Sequence, residues 1–300
     1  MYGGKPLRSG VPVETTRKGF RMKLRRVIAV LSGSEEDTPL LSRSYAICAD
    51  YEARLDALFV RRNAASGGDF LGDAFSTYGM EAVLEALDDA AAIAARKARQ
   101  SYDQLADDAA PDHIGRFVEY IGLPRSAMSR EGRLSDLIIM PKPSSKDLRN
   151  KLNSIETAAF ESGRPVLVLP TARACTGHFN DIVIAWDGSL EAMHAVVGAV
   201  PFLQAAENVT ITHAGTEREA ANQLAELSDY LELHDVRAAT RSVDLDGRSV
   251  ARALIETSSQ NGADLLVMGG FGAPGWQRSL GRDETTCLIK DVPFAILLAH

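Results

Sequence analysis

"DIVIAWDGSLEAMHAVVGAVPFLQAAENVTITHAG", residues 181–215, begins with an apolar run, turns on Asp-Gly-Ser, continues through a helical stretch and ends in a second apolar run. The opening run has no polar alternation, as expected of a strand covered on both faces. Ala192, Ala195, Val196, Ala199, Val200 and Leu203 then recur at the three and four spacing of one helix face. Two buried strands joined through a helix imply parallel pairing, so this stretch predicts a doubly wound α/β sheet with helices on both faces.

The same order of elements occurs earlier in the chain. "RVIAVLSGSEEDTPLLSRSYAICADYEARLDALFVR" (26–61) has a strand, a Ser-Gly-Ser turn, a helix and a strand. After a variable middle come "SDLIIMPKP" (135–143) and "ADLLVMGGFG" (263–272), each an Asp before an apolar run, and then "SGRPVLVLP" (162–170) and "KDVPFAILLA" (290–299). A repeat of this size sets the domain organisation. The polar, turn-rich "TARACTGHFN" (171–180) separates two domains, expected over 22–172 and 178–300. The first is longer in its middle: "NAASGGDFLGDAFSTYG" (63–79) is expected as a loop and 80–106 as one helix. Its stripe of Met80, Leu84, Leu87, Ala91, Ala94, Ala98, Tyr102 and Leu105 should pack on its own sheet.

Composition narrows the function. The 300 residues carry a formal net charge of −7, which supplies no broad attraction for nucleic acid or an anionic membrane. No apolar run approaches the roughly 18 residues of a membrane span. Three scattered cysteines are not a disulfide framework and fit a reducing, cytoplasmic setting. The basic first 26 residues lack the apolar core of a secretory signal. A transit peptide or basic arm is one reading of them; the other, preferred, is that residues 1–21 are disordered or spurious and that translation begins at Met22.

"IVIAWDGS" (182–189), "ADLLVMGGFG" and "VPFAILLAH" (292–300), echoed in the first half by "VIAVLSGS", "SDLIIMPKP" and "FESGRPVLVLP", resemble the universal stress proteins in their tandem two-domain form. The resemblance covers residues 22–300 and is clearest in the second half. It implies two Rossmann-like domains, each a five-stranded parallel sheet of order 3-2-1-4-5. It also implies that the fifth strands, here "PVLVLP" and "FAILLA", pair with each other, making an intramolecular pseudo-dimer and covering two sheet edges. In members that bind ATP, an Asp ending the first strand contacts the adenosine, and a loop of pattern G-x-x-G-(nine residues)-G-(S/T) holds the phosphates.

Carried onto this sequence, Asp187 matches that Asp, and Gly269 and Gly272 match G-x-x-G. Nine residues beyond Gly272, however, stand Arg282 and Asp283, with Gly281 one place early. A phosphate loop aims several backbone N–H groups at one anion, and Gly269, Gly270, Gly272 and Gly275 have the freedom to do so. Pro274 removes one donor, and Asp283 and Glu284 put negative charge where the terminal phosphate belongs, although acids there also cap a helix start. Arg282 either offsets them or grips phosphate. The literal G-x-G-x-x-G of Gly270, Gly272 and Gly275 follows a late strand, which is the wrong place for a dinucleotide site.

The first half lacks the motif. Ser32 replaces the Asp, "PKPSSKD" offers few backbone donors, and Lys142 and Lys146 would attract an anion only weakly. Glu35, Glu36 and Asp37 are expected to cap a helix. Cys175-x-x-His178 with Asp181 is half a metal site at most, so no metal is expected. Cys287 belongs to a core, and no nucleophile elbow or Walker lysine is present. Trp186 and Trp276 should meet at the cleft, over a base or as a plug. These features suggest a non-catalytic, cytoplasmic regulatory module of the stress response with nucleotide binding reduced or lost and an unidentified protein partner. The alternative is a single ATP or AMP site, with Mg²⁺ and a weak ATPase step, at Asp187, Gly269, Gly272, Gly275, Gly281 and Arg282. A homodimer is compatible with either.

Overall fold

The computed structural model describes residues 23–62, 77–143, 148–170, 177–215, 217–272 and 282–300. The first repeat runs β1 (Arg26–Leu31), α1 (Asp37–Asp50), β2 (Arg54–Arg61), α2 (Thr77–Asp108), β3 (Ile114–Ile121), α3 (Pro124–Arg130), β4 (Leu137–Pro141), α4 (Leu148–Ser162) and β5 (Val166–Leu169). The second runs β6 (Asp181–Ala185), α5 (Leu190–Leu203), β7 (Asn208–Ala214), α6 (Glu217–Leu233), β8 (Ala239–Val243), α7 (Val250–Gln260), β9 (Leu265–Gly269), α8 (Arg282–Asp291) and β10 (Ala295–Ala299).

All ten strands form one sheet, in the order β3-β2-β1-β4-β5-β10-β9-β6-β7-β8. Each half therefore has the expected 3-2-1-4-5 order. The strands within each half are parallel, and β5 and β10 meet antiparallel, with Leu297 opposite Leu167. At the seam two fully buried apolar strands that would otherwise be edges hydrogen-bond to each other. One apolar layer spans both halves on the face of α1, α2, α5 and α6, and a second spans them on the face of α3, α4, α7 and α8.

The repeated Asp residues have one structural role. Asp136 accepts the N–H groups of Arg25 (2.8 Å) and Arg26 (2.9 Å) as β1 begins. Asp264 accepts those of Asn180 (2.7 Å) and Asp181 (3.2 Å) as β6 begins. Each thus pins a first strand beside the fourth strand that follows the Asp.

One expectation needs correction. The long helix begins at Thr77, inside the segment expected as a loop, and only its second part packs on the sheet. Ala95, Ala98 and Tyr102 are buried, whereas Leu87 is 51% exposed and Ile93 48%. At about 1.5 Å per residue a 32-residue helix outruns an eight-residue strand, so its first turns extend beyond the sheet. The third strands, β3 and β8, lay hidden in the variable middles because edge strands carry polar residues; three of the five β8 residues are exposed. His178 Nε2 lies 3.3 Å from a carboxylate oxygen of Asp50, at the end of α1. Cys175 lies outside the described residues, as do residues 1–21 and 63–76.

Candidate functional site

In an open α/β sheet the ligand crevice lies at the carboxyl ends of the strands where the strand order reverses. In the second half that point lies between β6 and β9, whose register sets Ala185 opposite Met268. Asp187 and Gly269 thus reach the same end of neighbouring strands. Asp187 Oδ1 accepts the Ser189 N–H at 2.9 Å, Gly188 takes φ +75°, and the Ser189 hydroxyl caps α5 by accepting the Ala192 N–H at 3.1 Å. Asp187 therefore shapes the turn into α5.

The glycines after β9 have structural duties. A Cβ on Gly269 would lie 2.6 Å from Ala192 N and 2.9 Å from the Glu191 carbonyl carbon, so this glycine lets the first turn of α5 pack directly on the strand end. The Gly270 N–H bonds to Ala299 O at 2.9 Å. Phe271 takes φ +58° and donates its N–H to Thr285 Oγ1 at 3.2 Å, which ties the loop to α8. Gly272 is buried. Gly275 and Gly281 lie outside the described residues, as do Pro274 and Trp276, so the meeting expected of Trp276 with Trp186 does too. Trp186 itself packs against the apolar layer beneath α5.

Asp283 and Glu284 lie in the first turn of α8, the helix start that acids there are expected to favour, and Arg282 opens that helix. The Arg282 guanidinium crosses the seam to Glu156 (2.7 Å) and Asn153 (3.0 Å) on α4 of the first half. The Glu284 carboxylate also reaches a neighbouring helix: it accepts the Ala251 N–H at 2.7 Å, at the start of α7, where the Ser249 hydroxyl accepts the Arg252 N–H. Sequence alone could not have found Asn153 and Glu156, because their meeting with Arg282 depends on the antiparallel seam.

The equivalent end of the first half is built differently. Asp37, fully buried, accepts the N–H groups of Ser32 (2.9 Å) and Gly33 (2.7 Å) and the Ser32 hydroxyl (3.0 Å). The carboxylate expected to cap α1 instead occupies the donors of the β1 turn. Burial holds its pKa above the ordinary carboxylate value, and the Ser32 and Gly33 hydrogen bonds oppose that rise only in part. Lys142 is likewise no anion lure: its ammonium donates across the seam to the Val292 carbonyl, and burial lowers its pKa. Lys146 lies outside the described residues. Beside this turn the ends of β1, β2 and β4, with α3 and α4, enclose a cavity of about 290 Å³. On its wall Lys151 is ion-paired with Glu36.

No family model matches this chain, and no curated protein does. Solved structures do. A universal stress protein from Archaeoglobus fulgidus superposes with a TM-score of 0.65 at 15% identity, covering 92% of this chain and 96% of its own. The chain has the fold of a tandem universal stress protein. Two Pseudomonas aeruginosa structures also superpose on this chain. One is described as functionally unknown, with a TM-score of 0.55 at 14% identity and 92% of both chains covered. The other is a provisionally assigned universal stress protein, with a TM-score of 0.54 at 15% identity, covering 92% of this chain and 93% of its own. No helix among the described residues is long and apolar enough to cross a membrane, and none of their His, Cys, Asp and Glu side chains group in threes as metal ligands.

Proposed function

We propose that this chain is a non-catalytic, cytoplasmic regulatory module of the universal stress protein kind, whose second half has lost its phosphate cradle. The observation that carries this reading is where Arg282 points. Among the described residues, the cation at the end of the motif, Arg282, is engaged by Glu156 and Asn153 rather than turned toward a ligand beside Asp187. Its neighbours support the same reading. Gly269 accommodates a helix turn, and Glu284 holds the start of α7. The elements of a nucleotide site have become joints between helices and halves, and a molecule of this kind acts through a protein partner.

The test is nucleotide content and affinity. Protein purified without added nucleotide, once precipitated, should release no stoichiometric ATP or AMP, and titration with ATP and Mg²⁺ should give no saturable heat. Stoichiometric nucleotide that disappears in Asp187→Ala would establish the alternative, a single ATP or AMP site in the second half.

A further inference from the structure

We propose that the cleft of the first half is a binding site for a small monocarboxylate with an apolar body, of the kind represented by octanoate or benzoate. The inference goes beyond the function proposed above, which concerns the second half, and stands separately from it. The cleft lies where β1 and β4 diverge, the position at which an open α/β sheet has room for a ligand. Its volume, about 290 Å³, lies just below the usual range for small-molecule pockets, roughly 300 to 1,000 Å³, as suits a small ligand.

The lining sets the ligand's chemistry. Val30, Val60, Met128 and Met140 offer an apolar wall, and the two thioethers can adjust to the outline of an aliphatic chain or a ring. Arg62 stands exposed at the rim and Lys151 is mostly buried in the wall, its side chain 17% exposed. Among the described residues of the cleft, Glu36 balances Lys151, which leaves the one positive charge of Arg62 and so favours a single negative charge on the ligand. Arginine offers a carboxylate two parallel N–H donors.

The same residues disfavour a nucleoside triphosphate. The backbone donors of Ser32 and Gly33, which would otherwise meet an oxyanion, are held by the internal carboxylate of Asp37. Glu36 would repel a polyphosphate, and the segment after β4 contains no glycine to build a nest.

The experiment is titration calorimetry and thermal melting of the full chain with octanoate, benzoate, octanol and ATP. Octanoate or benzoate should bind saturably and raise Tm, octanol should bind more weakly, and ATP should not compete. Arg62→Gln, at an exposed position, should weaken carboxylate binding about tenfold, the scale of one lost charge-assisted hydrogen bond. Ser154→Phe, which fills the cleft from α4, should abolish it. The proposal is overturned if neither carboxylate binds at millimolar concentration, if octanol binds as tightly as octanoate, if ATP displaces the carboxylate, or if Arg62→Gln leaves the affinity unchanged.

Discussion

The Arg282 guanidinium lies 2.7 Å from the Glu156 carboxylate, and the two residues belong to opposite halves of the chain. Arg282 opens α8 and Glu156 sits midway along α4, the helices that lead into β10 and β5. The pair therefore braces the antiparallel seam from one face while Lys142 reaches the Val292 carbonyl near its end. Arg282, which stands where the glycine-loop motif ends, is thus part of the joint.

The pair should be measurable in a double-mutant cycle of Arg282→Ala and Glu156→Gln, followed by urea denaturation. Arg282 is 61% exposed and Glu156 23%, so solvent screens the pair, and its coupling should be about 0.5–1 kcal/mol, the upper part of the range for exposed ion pairs. Additive effects of the two substitutions would show that the pair is incidental to the seam. The single substitutions should leave ATP binding as it is in the parent.

Gly269→Ala separates a structural glycine from a phosphate-binding one. The added Cβ meets backbone atoms of Glu191 and Ala192, which cannot yield as a flexible side chain does. The variant should lose about 1–3 kcal/mol, the usual cost of overpacking, and its denaturation midpoint should fall accordingly. Gly262→Ala is a useful comparison: no atom stands within 4 Å of its Cβ, but φ is +67°, so only backbone strain is added. If Gly269→Ala folded with parental stability, the close packing of α5 on β9 would not be the reason for that glycine.

The doubly wound parallel class of the sheet was legible because it rests on strands buried on both faces, "VIAVL", "LIIMP", "DIVIA" and "AILLA", whose continuous apolar runs cannot be mistaken for surface, whereas the strand order came from the family resemblance. The edge strands β3 and β8 were not legible, since half-exposed strands resemble loops in composition. Within the site, Asp187 and Gly269 stood where the motif placed them, but their partners came from elsewhere in the fold. Ala192 contacts Gly269 because α5 is capped by Ser189, and Glu284 meets Ala251 because α7 and α8 pack side by side. Asp37 was visible as an acid at a helix start. Its turn back toward Ser32 and Gly33 depends on backbone geometry that composition does not encode.

Cysteine labelling tests the core of the first half. Burial, with a smaller contribution from the Asp56 charge, raises the Cys48 thiol pKa to about 12, and the side chain is fully buried. The thiolate is the reactive form, so iodoacetamide at pH 8 should leave Cys48 unmodified in the native protein and alkylate it rapidly in urea. Peptide mass spectrometry distinguishes it from Cys287, which is only partly buried. Rapid native alkylation of Cys48 would show that α1 does not pack on the sheet as described.

Asp37 should give the protein an unusual response to acid. Most paired carboxylates have lowered pKa values and cost stability as pH falls. Burial raises that of Asp37 above 3.8, its ordinary value, so the folded chain binds this proton more readily than the unfolded chain. Its contribution is then fully present below the unfolded pKa and is lost as pH rises through the folded one. In Asp37→Asn this titration is absent. The Asn amide can accept from Ser32 through its oxygen, but its NH₂ faces the Gly33 N–H, so the variant should be less stable than the parent at pH 7. As pH falls from 7 toward 4, the stability of the parent relative to the variant should rise, because only the parent gains from the proton. Urea denaturation of both proteins across that range measures the difference. A gap that narrowed toward pH 4 would mean that Asp37 is stabilised as a carboxylate by the Ser32 and Gly33 donors more than it is penalised by burial.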